Sequence, residues 1–168
     1  MYRRILIITV LLILSVRMFS QEENYISLYM FNFTRYVEWP VEKRSGNFVI
    51  EVLGHVSVYE KLKEMVSGKK VGNQPIEVRN YMSVNEMGQP HVMFVGHWKS
   101  REMPQVIDKL GGESTLIIGE KEGMIDQGAA INFVIREGKI KFEFKEINAR
   151  DRGLSVSSRL RQMGIVLE

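Results

Sequence analysis

The feature that most constrains this chain is a series of short, mostly apolar runs: Phe48 to Leu53, His91 to Val95, Thr115 to Ile118, Ile131 to Ile135 and Ile140 to Phe144. Each is four to six residues long and bounded by turn residues, which is the length and setting of a buried strand. Segments with helical spacing lie between the earlier runs, and such alternation describes a sheet covered by helices on both faces. The last two runs flank Glu137-Gly138, and Lys139, Lys141 and Glu143 alternate with apolar neighbours in the second of them. That pattern reads as a hairpin, so the sheet is mixed. The expected fold is a single α/β domain with a mixed β-sheet of about five or six strands and helices on both faces.

The helical segments carry their own punctuation. Tyr25, Leu28, Tyr29, Asn32, Phe33, Tyr36 and Val37 recur at spacings of three and four, predicting one aromatic helix face that runs to Trp39-Pro40. Ser57 with Glu60 forms a capping-box pattern for a helix to about Val66, stopped by Gly68. Pro75 opens a short strand through Val78. A helix is expected over Glu102 to Leu110, with Ser100 as its cap and Gly111-Gly112 as its stop. The last charged helix is interrupted at Gly153-Leu154 and resumes after Ser157.

Arg3 and Arg4 precede an apolar-dominated run from Ile5 to Val16, and Gln21-Glu22-Glu23 follows. This is the order of a secretory signal peptide, and the run is short of the ~20 residues a membrane-crossing helix needs. Residues 1–20 are therefore expected to be removed, leaving a domain over 21–168 in the periplasm of a two-membrane host. Without Arg3, Arg4 and Arg17, the 23 basic residues fall to 20, against 20 acidic ones. A charge-balanced domain lacks the clustered positive surplus that phosphate backbones require, which argues against nucleic acid as a partner. The absence of cysteine excludes thiol redox control and cysteine-ligated metals.

No catalytic constellation emerges. His91 and His97 flank one predicted strand, about 20 Å apart at ~3.3 Å per residue, so these two cannot share an ion, and no metal site is expected. Gly68-Lys69-Lys70 lacks the spacing and hydroxyl of a phosphate loop, and no G-x-S-x-G elbow exists. The chain is read as a non-enzyme with no cofactor. Asp126-Gln127-Gly128 reads as a tight bend. The aromatic residues Phe33, Tyr36 and Trp39 are chiefly core candidates, and they are also the partner-binding candidates, since aromatic anchors dominate interface energetics.

Beyond periodicity, several segments carry a family resemblance. FTRYVEWP at Phe33 to Pro40, IEVLG ending at Gly54, GKKVGNQPIEVR at Gly68 to Arg79 and HVMFVG at His91 to Gly96 occur in order. GMIDQGAAINFVIREGKIKFEF and RDRGLSVSSRLRQMG follow, ending at Gly164. Together they resemble the YfiR-like family of secreted bacterial regulatory proteins. The resemblance implies a periplasmic α/β domain whose best-known relative restrains a membrane-bound diguanylate cyclase through that enzyme's periplasmic sensor domain. The expected partner is thus a membrane-bound signalling protein engaged through its extracytoplasmic domain. A homodimer is compatible with the sequence, and a periplasmic small-molecule-binding protein is the alternative reading.

Overall fold

A computed structural model describes residues 21–168; the expected signal peptide lies outside the described residues. Helix α1 occupies residues 21–33 of this span and is followed by β1 (Val37–Glu38), β2 (Phe48–Leu53), α2 (Val56–Val66), β3 (Lys70–Val71) and β4 (Gln74–Tyr81). Then come β5 (Val92–Val95), α3 (Met103–Leu110), β6 (Leu116–Gly119), β7 (Ile131–Arg136) and β8 (Lys139–Lys145). The chain closes with α4 (Glu146–Arg150), β9 (Ser155–Val156), α5 (Ser158–Met163) and β10 (Ile165–Leu167).

The fold is the mixed α/β domain expected, with a wider sheet. Eight strands lie in the order β10-β8-β7-β6-β5-β2-β4-β3. The strands from β7 across to β4 are mutually parallel, β8 returns antiparallel to β7, and β10 runs parallel to β8. The sequence reading counted fewer strands because β3 has two residues and β10 three, too few to show a period. A separate ribbon pairs β1 with β9, Val37 opposite Val156.

Period-two alternation sends the sheet's side chains into two cores. Phe48, Ile50 and Val52 of β2, Val92 and Phe94 of β5, and Phe142 and Phe144 of β8 join one cluster with α1 and α2. Leu53, Met93, Val95 and Ile117 point the other way, onto Met103, Val106 and Leu110 of α3. Both faces are therefore buried, which is why the central strands read as unbroken apolar runs.

Two local expectations need correction. The buried side of α1 carries Ile26, Met30 and Phe33, whereas Tyr25 and Leu28 are exposed. Apolar residues occupy most of the helix circumference, so spacing alone set Tyr25 and Leu28 inward, while Phe33 and Val37 of the expected stripe are buried. The helix also stops at residue 33, not at Trp39: Thr34 Oγ1 donates to the Phe31 carbonyl at 2.7 Å, and the backbone then extends into β1. No helix among the described residues is long and apolar enough to cross a membrane.

Candidate functional site

Strand order creates the site. From β2 the chain crosses through α2 to β4 on one side, then returns to place β5 on the other side of β2. Open parallel sheets form a crevice outside the carboxyl ends of strands flanking such a reversal, and ligands bind there. In this protein the three adjacent strands β2, β5 and β6 each end at or just before a glycine, and the next residue is polar: Gly54-His55, Gly96-His97 and Gly119-Glu120.

Glycine is required at these exits for steric reasons. Gly54 has φ +73°, in the left-handed region, and a Cβ there would strike the Lys99 side chain. At Gly96 a Cβ would lie 3.0 Å from His55 Cβ, 3.1 Å from the Gly54 carbonyl oxygen and 3.2 Å from that of Leu53. The two loops touch backbone to backbone, and this brings the two histidines together.

Glu120 joins them. Its Oε1 lies 3.2 Å from His55 Nε2, and its Oε2 lies 3.1 Å from His97 Nδ1. Oε2 also accepts the His97 backbone N–H at 2.9 Å. The facing donor atoms of His55, His97 and Glu120 all fall within 4.8 Å of one another. Burial alone would raise the Glu120 carboxyl, but hydrogen bonds from both histidines and the charge of His55 hold it below its ordinary value. Burial likewise pulls the His55 imidazole down, and Glu120, helped by Glu23, carries it above its ordinary value.

His55 also closes α2: its Nδ1 accepts the Val58 N–H at 3.4 Å, so it fills the cap position the sequence reading gave to Ser57. The ring is thus shared between a helix start and the triad. Around the triad opens a cleft of about 390 Å³. Glu22, Glu23 and Ile26 of α1 form one wall, and Phe133 and Ile140 of the β7–β8 hairpin form another.

His91, the third histidine, sits at the opposite end of β5. Its Nδ1 accepts the Val49 N–H at 3.0 Å and its Nε2 lies 2.7 Å from the Lys43 carbonyl oxygen. These contacts fix the neutral ring with hydrogen on Nε2. Burial pushes its pKa below the ordinary value, with the Lys43 carbonyl opposing. The sequence reading tested His91 against His97 and expected no metal site. The fold pairs His97 with His55 instead.

The three aromatic candidates fall in different places. Phe33 is buried, its ring 6.0 Å from Phe133 and 4.9 Å from Phe142. Trp39 is buried with its indole N–H donating to the His91 carbonyl at 3.1 Å. Tyr36 is half-buried at the edge of the same core. Among the described residues the most exposed large aromatic is Trp98, at 81 %, with its ring 4.4 Å from that of His97. Sequence reasoning passed over Trp98 and Glu120, and it weighed His97 against His91 rather than against His55. The signal was the repeated glycine-polar step after three apolar runs, which gains meaning only once those strands are known to be neighbours.

The loop from Gly123 to Ala130 is the bend expected. Asn148 Nδ2 donates to the carbonyls of Ile125 at 2.9 Å and Ala129 at 2.8 Å and so clamps the loop.

No curated protein matches this sequence. A family model does, over residues 24–164, and its description is YfiR/HmsC-like. That match takes in α1 from Asn24 onward, the whole glycine-exit triad and the chain as far as Gly164, and by it this protein belongs to the YfiR/HmsC-like family.

Proposed function

We propose that this protein is a periplasmic, non-catalytic regulator that docks on the extracytoplasmic sensor domain of a membrane signalling protein, of the diguanylate cyclase type, and biases its output. The observation that carries this reading is family membership across nearly all the described residues. Residues 1–20 act as a cleaved export signal in this reading. A regulator of this kind works through unequal affinity for two states of its target, with ~1 to 3 kcal/mol of coupling being typical.

We assign two separate contact candidates, the half-buried Tyr36 and the exposed Trp98. Phe33 and Trp39 belong to the core that Tyr36 edges, and their own burial limits direct contact. Crosslinking in intact cells followed by mass spectrometry tests the proposal. One membrane sensor protein should be captured by the wild type and lost with Trp98→Ala or Tyr36→Ala, each checked for folding by circular dichroism. Enrichment of no envelope protein would end the regulatory reading.

One observation favours a second reading, small-molecule binding: the cleft sets apolar Ile26, Phe133 and Ile140 opposite polar His55, His97 and Glu120. A thermal-shift screen separates the two, because a ligand at 100 times its dissociation constant adds about 2.7 kcal/mol.

A further inference from the structure

We propose that His55, His97 and Glu120 form a binding site for a first-row divalent metal ion of the zinc type, with one coordination position open to the cleft. The inference goes beyond the regulatory reading and does not depend on the partner.

The donors come from three separate strand exits on the parallel part of the sheet, and each is placed by the glycine before it. Rigid elements thus aim two imidazoles and one carboxylate at a common point. Zinc bonds of about 2.0–2.1 Å set donor atoms about 3.3 Å apart in a tetrahedron. Each imidazole lies at about that edge from one oxygen of Glu120, His55 Nε2 at 3.2 Å from Oε1 and His97 Nδ1 at 3.1 Å from Oε2. With every pair within 4.8 Å, only a small approach of the two rings is needed.

An ion pair alone accounts for the arrangement less well. The two rings lie 5.9 Å apart between centroids, and protonating both to serve one carboxylate places like charges side by side. Only one imidazolium is useful there, so the second ring is surplus. A divalent cation uses both rings in their neutral form together with the carboxylate. Glu22 and Glu23 on the cleft wall add negative charge nearby.

The outer contacts are compatible with coordination. The His97 backbone N–H fixes Glu120 Oε2, the kind of support that orients metal ligands. Coordination through His55 Nε2 places that ring's hydrogen on Nδ1, so the weak 3.4 Å helix-capping bond from Val58 is given up. Mixed nitrogen and oxygen donors select zinc, nickel, copper or ferrous iron over calcium and magnesium. Three protein donors on one side leave the fourth position to water or to a ligand in the cleft.

The test is isothermal titration calorimetry of the purified protein, stripped with chelator and titrated with zinc chloride. One equivalent of zinc should bind, with calcium chloride giving no saturable heat. His97→Ala and Glu120→Gln should each weaken zinc by at least about 100-fold, since removing a ligand exceeds the tenfold to 100-fold effect of outer contacts. His97 is the safer variant, because its side chain is 42 % exposed, and circular dichroism in chelator verifies folding. His91→Gln, at the far end of β5, should bind zinc as the wild type does. Zinc should also change the fluorescence of Trp98, whose ring lies 4.4 Å from that of His97, and Trp98→Phe should abolish that change while keeping the stoichiometry. Absence of stoichiometric zinc binding, equal binding of calcium, or unchanged affinity in folded His97→Ala overturns the proposal. Sensor-domain capture by chelator-treated protein is scored separately, so either proposal can fail alone.

Discussion

The imidazole of His55 meets the carboxylate of Glu120 across the end of an intervening strand, Nε2 to Oε1 at 3.2 Å. Since β5 lies between β2 and β6, this contact bridges two strands that do not touch each other. Replacing Glu120 by glutamine keeps the volume but turns one acceptor into a donor, which then faces the donors of His97 or His55. A loss of about 1–3 kcal/mol is expected from the mismatched buried group. Urea denaturation in the presence of chelator measures it, and an unchanged midpoint would mean the bridge adds nothing to stability.

His91 sets a pH dependence of opposite sign to that of His55. Its folded pKa is depressed by burial, so as pH falls below about 6.5 the unfolded chain takes up the proton first. Stability is therefore full above that value and declines until the folded ring itself protonates. His55 is raised and gains stability on the acid side, so the two must be separated by difference. Denaturation curves of wild type and His91→Gln between pH 8 and 5 should converge toward the acid end; parallel curves would contradict the neutral, doubly bonded ring.

Gly96→Ala is expected to destabilise by about 1–3 kcal/mol, the usual range for overpacking. The added methyl would press on His55 Cβ and on two carbonyl oxygens at 3.0 to 3.2 Å. Thermal unfolding reads the loss. A wild-type transition temperature would show that the β2 and β5 exits can part freely.

Trp98→Ala should leave stability within about 0.5 kcal/mol, as exposed positions generally do, because 81 % of the residue faces solvent. Partner capture should fall in the same variant. Loss of stability together with capture would assign Trp98 a packing role instead.

The central sheet was legible because burial on both faces leaves no polar alternation to misread: β2 coincides with the run Phe48 to Leu53, and the β7–β8 hairpin turns at Glu137-Gly138 as expected. Helix α1 was harder, since Ile26, Met30 and Phe31 compete with Tyr25 and Leu28 for the inward side. Trp39 lies in the core, in keeping with the chief reading of the aromatic residues, and its indole N–H is engaged by a carbonyl 52 positions away. The triad was invisible for a different reason. Its members lie in three distant segments, and only the reversal of strand order makes His55 a neighbour of His97.

The ribbon joining Val37 to Val156 has a temporal meaning as well as a spatial one. Ser157 N–H also donates to the Tyr36 carbonyl at 2.9 Å, so the corner after α1 is completed only by residues far downstream of it. Because non-local pairings form slowly, an emerging chain holds that corner unfinished until β9 has appeared. A chain ending anywhere before β9 would leave the Tyr36 carbonyl without the Ser157 N–H and Val37 without its strand partner.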